Sequence, residues 1–156
     1  MIGSSGKSTA KEMIGAVLRQ RYKTLVGSKN HNTIRGIARD LNRLNSTYEV
    51  AVLEAGMKSP GIIRTSTRMI RPHIGVVTSI HEAHRIRLGS IRNIIKAKAE
   101  MLQYLDKDGT LIINGYDKYS RQYPYRRFKG KVIRFGFADD CDIWASDIKR
   151  EGLITH

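Results

Sequence analysis

Cysteine is nearly absent from this chain of 156 residues, since Cys141 is the single one. It cannot form an intramolecular disulfide, so the fold must be stabilised by its core. The first residues also lack the basic start, apolar stretch and small-residue cleavage site of a secretory signal. We therefore expect a protein of the reducing cytoplasm.

Long hydrophobic runs are missing as well. No apolar segment approaches the roughly 18 residues that a membrane-spanning helix requires. The composition of 40% hydrophobic and 27% charged residues is typical of a globular protein. A chain of this length predicts one domain, residues 1–156, that is large enough to bury its own core.

Acidic residues are scarce relative to basic ones. The chain has 28 Lys and Arg against 14 Asp and Glu, a formal net charge of +14. This excess favours anionic partners, namely nucleotides, phosphorylated substrates, nucleic acid or acidic lipid surfaces. The densest basic group, Arg126–Lys129 near Tyr123 and Tyr125, has no accompanying RNA-recognition or helix-turn-helix signature. We interpret it as a solvated face and do not expect nucleic-acid binding.

A short phosphate-loop signature, G-x-x-G-K-S, occupies Gly3-Ser4-Ser5-Gly6-Lys7-Ser8. Small residues let backbone N–H groups approach phosphate, Lys7 adds positive charge, and Ser8 offers a hydroxyl to a metal ion. A glycine turn that happens to precede a lysine would look the same. The amphipathic segment that follows at once favours the phosphate loop.

Apolar runs and amphipathic segments alternate along the rest of the chain. This alternation predicts crossover connections and an α/β fold in three layers, with a parallel sheet covered by helices on both faces. The predicted strands lie near 24–26, 50–53, 74–77, 110–113 and 132–135, with a peripheral strand in 142–148. The predicted helices span about 8–20, 34–44, 60–69 and 90–105, with a weak one near 117–123.

Two metal-capable groups follow strands of this predicted sheet. Glu54 ends the run Val50–Leu53, and the segment 79–84, which contains His84, follows the strand near 74–77. Ligands of open parallel sheets bind beyond the carboxyl ends of the strands. We therefore expect Glu54 and His84 to lie at the same rim as the phosphate loop.

Lys98 falls inside an apolar helical stripe. Wound at 100 degrees per residue, the stripe includes Lys98 but places Lys96 roughly opposite. A lysine on an apolar face is paired, neutralised or chemically altered, or else it extends its ammonium to solvent from the edge. The sequence leaves these readings open. The stripe consists of Ile91, Ile94, Ile95, Met101, Leu102 and Leu105.

Several short motifs follow one another along nearly the whole chain. They are Gly3-Ser-Ser-Gly-Lys-Ser-Thr-Ala-Lys-Glu-Met13, Asn30-His-Asn32 with Gly36, Leu53-Glu-Ala-Gly-Met57, Glu82-Ala-His84, Leu88-Gly-Ser90, Ala97-Lys-Ala-Glu100 and Asn114-Gly-Tyr-Asp117. Their order and spacing resemble the central ATP-binding domain of the Mur ligases. An ordered set of motifs is far more specific than one phosphate loop.

This resemblance implies ATP-dependent amide formation in peptidoglycan precursor synthesis. The carboxylate of a UDP-muramyl peptide would take the γ-phosphoryl group of ATP, giving an acyl phosphate that the amine of an amino acid or dipeptide attacks. The family segment matching Asn30, Asn32 and Thr33 lies near the metal and the acyl acceptor.

The resemblance also implies a role for each site residue. Gly3, Ser4, Ser5, Gly6, Lys7, Ser8 and Thr9 would bind the nucleotide, with Lys7 at the β- and γ-phosphates. Ser8 and Glu54 would hold a first Mg²⁺, and His84 a second. Lys98, at the family spacing from His84, would be the carbamylated lysine, whose carboxylate-like oxygens suit Mg²⁺. The catalytic set would be Lys7, Lys98 and His84.

Some positions depart from the family pattern without removing a proposed metal ligand. These are Ile2, Ser79, His81 and Tyr116. We expect His31, His73 and His81 to be surface or structural histidines. Asn114 and Asp117 follow a strand end, where nucleotide-side contacts are one explanation and turn formation is the simpler one.

The phosphate loop begins at residue 3, which leaves no room for the strand that normally leads into it. Family members also carry N- and C-terminal ligase domains, and neither is present in the chain. We therefore expect a central domain that is inactive alone as a ligase. The oligomeric state stays open.

Three other readings remain. A folylpolyglutamate- or cyanophycin-type amide ligase would differ in its acceptor and amine. A phosphate-loop ATPase or kinase module would not need a modified Lys98. A basic binding protein with a degenerate loop would bind nucleic acid in a salt-sensitive way and show no Mg²⁺-dependent nucleotide affinity.

Overall fold

The computed structural model describes residues 1–29, 31–82, 88–148, 150–151 and 154–155. Helices and parallel strands alternate through most of this part, as predicted. The helices are α1 (Lys7–Leu18), α2 (Ile34–Leu41), α3 (Ile62–Ile70) and α4 (Ile91–Ala99). The strands are β1 (Thr24–Val26), β2 (Val50–Val52), β3 (Ile74–Val77), β4 (Thr110–Asn114), β5 (Lys131–Gly136), β6 (Ile143–Trp144), β7 (Arg150–Glu151) and β8 (Ile154–Thr155).

The strands β1 to β6 pair in parallel, which confirms the predicted parallel sheet. β1 pairs with β2, and a second group has the order β3-β4-β5-β6. The short β6 lies at the outer end of this group, where Ile143 and Trp144 are exposed. It is the peripheral strand expected in 142–148. The antiparallel pair β7–β8 follows it.

Residues 1 and 2 join the two groups of strands. The Met1 nitrogen donates to the Leu53 carbonyl at 2.7 Å, and the Ile2 N–H donates to the Val76 carbonyl at 2.8 Å. Ile2 also forms a parallel bridge with Val77. The described residues form no strand before the phosphate loop, as expected, and residues 1 and 2 hydrogen-bond to partners on both sides in its place.

Close contacts between helices and strands depend on small residues. A Cβ on Gly15 of α1 would lie 2.4 Å from a methyl group of Val26 in β1. A Cβ on Gly75 of β3 would lie 2.9 Å from the terminal methyl of Met101. The glycines thus let α1 and the segment after α4 pack directly on the sheet. Val77, Leu111 and Ile113 of β3 and β4 are fully buried in the core.

Helix α4 ends earlier than predicted. Its N-cap is Ser90, whose hydroxyl accepts the Asn93 N–H, but a 3₁₀ turn over Glu100–Gln103 replaces the expected continuation to Leu105. The Glu100 carboxylate accepts the Gly61 N–H at 2.8 Å and the Arg64 N–H at 3.1 Å. This carboxylate satisfies N–H groups at the start of α3, a contact that the local periodicity does not show.

No helix of the described residues is long and apolar enough to span a membrane.

Candidate functional site

The predicted phosphate-loop segment leads directly into the start of α1. Gly6 precedes α1 in the left-handed conformation, with φ of 72°, which a glycine adopts without strain. The N–H groups of Lys7, Ser8 and Thr9 begin the helix and have no partner inside it. No acidic residue lies in the first turn. These free donors and the helix dipole favour a phosphate group at this position.

The segment after β3 supports the loop. The Thr78 hydroxyl donates to the Ser5 carbonyl at 2.6 Å, and the Ser5 N–H donates to the Ser79 hydroxyl at 3.1 Å. A Cβ on Gly3 would lie 2.0 Å from the Thr78 oxygen. Sequence reasoning missed Thr78 as a support and treated Ser79 only as a departure from a family pattern. The only sequence signal for Thr78 and Ser79 was their position directly after a predicted strand.

Ser8 and Glu54 lie together, as the sequence predicted. The Ser8 hydroxyl donates to Glu54 Oε2 at 2.6 Å, and Asn32 Nδ2 donates to Glu54 Oε1 at 2.9 Å. Glu54 is buried, with 3% of its surface exposed. A hydroxyl and a carboxylate beside free phosphate-binding amides are the hard oxygen donors that Mg²⁺ prefers.

The described residues contain no group of three or more His, Cys, Asp or Glu able to hold a metal ion by themselves. This donor set still fits Mg²⁺, because that ion usually takes one or two protein ligands and completes its shell with water and substrate phosphates.

The loop after β1 places Asn32 beside Glu54. The Gly56 N–H donates to the Asn32 carbonyl at 2.7 Å. A Cβ on Gly56 would lie 2.8 Å from Asn32 Cγ, so the two backbones approach closely only because residue 56 is glycine. Asn32 therefore touches the proposed metal ligand. Asn30 lies outside the described residues.

Lys98 is buried in the last turn of α4, with 1% of its surface exposed, and Lys96 is exposed. The predicted helical phase is thus confirmed. Burial, and secondarily the positive charge of Lys7, lowers the pKa of Lys98 to about 7. The positive charge of the phosphate-loop lysine therefore acts on the buried lysine.

Tyr123 holds the backbone of Lys98. Its hydroxyl donates to the Lys98 carbonyl at 3.2 Å, and the side chain is 2% exposed. Burial raises the pKa of the Tyr123 phenol. The sequence placed Tyr123 beside a basic group, but a buried ring cannot stack on a nucleic-acid base. This contact spans 25 residues and has no local sequence signal.

The structure describes three of the four histidines for which the sequence predicted a role. His84 lies outside the described residues, so its role as a metal ligand stays a prediction. His73 is exposed, with Nε2 3.9 Å from an Asp106 oxygen, and His81 is exposed beside the phosphate loop. His31 Nδ1 lies 3.8 Å from a buried Asp40 oxygen.

Asn114 and Asp117 form a turn, as the simpler interpretation proposed. Asn114 Oδ1 accepts the N–H groups of Tyr116 and Asp117, at 2.9 and 3.0 Å. Asp117 in turn accepts the Ile80 N–H at 2.6 Å. Burial acts to raise the pKa of Asp117, but this bond and those from Tyr119 and Ser120 outweigh it, so the net pKa is lowered. The turn thus fixes the segment after β3 that supports the phosphate loop.

A cleft of about 490 Å³ opens beside the phosphate loop. Among the described residues, its lining includes three basic side chains, Lys7, Arg35 and Lys58, and no acidic one. Asn32 and Met57 also line it. This charge balance favours an anionic ligand next to the phosphate site.

The fold and this site define a phosphate-loop, nucleotide-binding α/β domain. The profile of the family described as "Mur ligase middle domain" matches residues 2–153. The chain belongs to this family.

Curated relatives match most or nearly all of the chain. It is 39% identical over 154 residues to the UDP-N-acetylmuramoyl-tripeptide--D-alanyl-D-alanine ligase of Bacillus subtilis, covering 99% of this chain and 33% of the relative. It is 36% identical over 114 residues to the ligase of the same name from Escherichia coli, covering 73% of this chain and 25% of the relative. The chain thus spans about a third or less of the length of these relatives.

Solved structures confirm the predicted three-layer α/β fold. MurF from Acinetobacter baumannii superposes with a TM-score of 0.88 at 28% identity, covering 95% of this chain and 32% of that one. MurF ligase from Thermotoga maritima in complex with ADP superposes with a TM-score of 0.83, covering 99% and 36%. At 23% identity, this second likeness speaks for the fold alone.

Proposed function

We propose that this chain is the nucleotide-binding central domain of an ATP-dependent amide ligase that acts in the cytoplasm on peptidoglycan precursors. The observation that carries the proposal is the hydrogen bond between Ser8 and Glu54 directly beneath the phosphate-binding start of α1. Relatives at 39% and 36% identity, both named as UDP-N-acetylmuramoyl-tripeptide--D-alanyl-D-alanine ligases, support the substrate class.

The phosphate loop orients ATP in this proposal. The free N–H groups at the start of α1 bind phosphate oxygens, and Lys7 lies at the β- and γ-phosphates. Thr78 and Ser79 keep the loop in place, so little reorganisation accompanies binding. Positioned cations of this kind offset the negative charge that develops during phosphoryl transfer.

Four residues are assigned to two metal ions in this proposal. Ser8 and Glu54 would hold a first Mg²⁺, and His84 with Lys98 a second; Mg²⁺ neutralises phosphate charge when bound. Lys98 suits this role because burial leaves a large fraction of its amine neutral near pH 7. A neutral amine can attack carbon dioxide, and loss of one proton then gives a carbamate whose oxygens are hard ligands.

The cationic cleft would receive the UDP-muramyl peptide, the acceptor of the phosphoryl group. Lys7, Arg35 and Lys58 line it, so a carboxylate of a UDP-muramyl peptide would be held beside the γ-phosphate. The carboxylate oxygen takes the γ-phosphoryl group and ADP leaves. The amine of an amino acid or dipeptide then attacks the acyl carbon and expels inorganic phosphate. The names of the relatives make a D-alanyl-D-alanine dipeptide the first amine to test.

We further propose that residues 1–156 act within a longer ligase and do not turn over substrate alone. The chain spans about a third of relatives that carry this activity in their names. The missing two thirds would complete the acceptor and amine sites.

Calorimetry and product assays test the proposal. The 156-residue chain should bind ATP more tightly with Mg²⁺ than with EDTA. A ligase that carries this chain should release ADP only when both a UDP-muramyl tripeptide and D-alanyl-D-alanine are present. Full turnover by the 156 residues alone would disprove the central-domain proposal, and nucleotide binding that ignores Mg²⁺ would disprove the site.

The same assay separates the alternatives. ADP release with a folate or polypeptide acceptor, and none with muramyl peptides, would identify a folylpolyglutamate- or cyanophycin-type ligase. ADP release without any acceptor would identify an ATPase module.

A further inference from the structure

Lys11 is the second buried lysine near the phosphate loop. It lies on α1, one turn after Lys7, and only 1% of its surface is exposed. A buried ammonium is costly unless each of its N–H groups has an acceptor. The phosphate loop itself does not explain why a lysine is buried at this position.

Three acceptors surround the Lys11 ammonium. Nζ donates to the Gly27 carbonyl at 2.7 Å and to the Lys29 carbonyl, and it lies 3.1 Å from Glu12 Oε1. Two of these acceptors are backbone groups of the loop that follows β1. The side chain thus ties α1, which carries the nucleotide-binding amides, to the neighbouring loop.

A buried carboxylate holds the same loop from the other direction. The Ser28 N–H donates to Asp40 Oδ2 at 3.0 Å, and Asp40 is 2% exposed. Between these anchors Lys29 adopts a left-handed conformation, with φ of 40°. A non-glycine residue occupies that region at some cost, so surrounding contacts must impose the conformation. The ammonium at the Lys29 carbonyl is such a contact.

The loop leads directly to the metal ligands. Three residues after Lys29, Asn32 donates to Glu54 Oε1 at 2.9 Å, while Ser8 donates to Glu54 Oε2 at 2.6 Å. Lys11 and Ser8 stand on the same helix. The loop and α1 therefore approach Glu54 from two sides, and Lys11 links the two.

We propose that Lys11 is a positioning residue for the metal site: its ammonium anchors the loop after β1 so that Asn32 keeps the Glu54 carboxylate aligned with Ser8. The inference rests on the proposed function and adds a residue to it. Lys11 touches neither the nucleotide-binding amides nor Glu54, so its effect should fall on the metal-dependent part of nucleotide affinity. A purely structural lysine would weaken binding with and without metal alike.

The test compares Lys11→Met with Lys23→Met in the 156-residue chain. Methionine nearly preserves the length of the buried side chain while removing the charge, and Lys23 is exposed. ATP affinity is measured by calorimetry with Mg²⁺ and with EDTA. We expect Lys11→Met to weaken the Mg²⁺-dependent affinity about 10-fold or more, as for residues that orient metal ligands, and to change the EDTA value less than about twofold. Lys23→Met should change neither.

Equal losses under both conditions, or no loss, would overturn the inference while leaving the proposed function intact. A wild-type chain without Mg²⁺-dependent affinity would overturn both. Should Lys11→Met fail to fold, Asp40→Asn loosens the same loop from the opposite side and must show the same selective loss. Lys11→Arg, which keeps the charge, should recover part of the Mg²⁺-dependent affinity.

Discussion

Lys98 lies close enough to Lys7 for the second positive charge to add to the larger effect of burial, so that the pKa of Lys98 falls to about 7. The two lysines stand on different helices and differ in exposure. Lys7 is partly exposed, whereas burial favours the neutral amine of Lys98. Only the neutral form can become a carbamate.

Lys98→Ala should abolish most ligase activity, because the proposed carbamate supplies oxygens to the second Mg²⁺. Lys96→Ala, two residues away on the exposed side of α4, should change activity little. The measurement is ADP release by a ligase that carries this chain. Small carboxylates added to the assay should partly rescue Lys98→Ala and have no effect on Lys96→Ala. Greater damage from Lys96→Ala would contradict the assignment.

Stability should depend on pH through Lys98. The pKa of this group is lowered from 10.5 to about 7 on folding, so between these values the unfolded chain binds more protons than the folded chain. The free energy of unfolding therefore rises with pH in that window, by about 1 kcal/mol per pH unit from this group. Below pH 7 both states are protonated and the full cost of the buried charge applies.

Urea unfolding at pH 7, 8 and 9, in buffer free of metal and carbon dioxide, measures this dependence. The control is Lys98→Met, which removes the titrating group from a buried position. Its unfolding free energy should exceed that of the parent most at pH 7, and the difference should shrink as the pH rises. A difference that stays constant with pH would show that Lys98 does not titrate in this range.

Glu54→Gln should remove the preference for Mg²⁺ in ATP binding. Glutamine keeps the size and can still bond Ser8 and Asn32, but it lacks the negative charge that attracts the ion. Calorimetry should give similar ATP affinities with Mg²⁺ and with EDTA. The exposed Glu49 provides the matched control, since Glu49→Gln changes the same net charge far from Ser8. Retention of the full Mg²⁺ effect by Glu54→Gln would exclude Glu54 as a ligand.

Tyr123→Phe should destabilise the chain by about 1 kcal/mol, because it leaves the buried Lys98 carbonyl without this donor. The exposed Tyr116 serves as control, and Tyr116→Phe should change the unfolding free energy by less than about 0.5 kcal/mol. Urea unfolding of both variants makes the comparison. Equal values for the two would mean that the hydroxyl does not hold α4.

Local patterns were enough to predict the order of helices and strands and the phosphate loop. The positions of Lys96 and Lys98 on opposite sides of α4 followed from helical geometry alone. The pairing of Ser8 with Glu54 followed from a general rule, that parallel strands end at the rim where helices begin. Each of these features depends on spacing along the chain or on a regular sheet.

Contacts between distant segments determined the features that local patterns did not predict. Residues 1 and 2 complete the sheet only because β2 and β3 lie on either side of them. Thr78 reaches the Ser5 carbonyl across 73 positions, and Glu100 reaches the start of α3 across 39. Lys11 has its partners in the loop after β1, at the Gly27 and Lys29 carbonyls. Side-chain partners of this kind have no periodic signal, because they depend on which segments the packed core brings together.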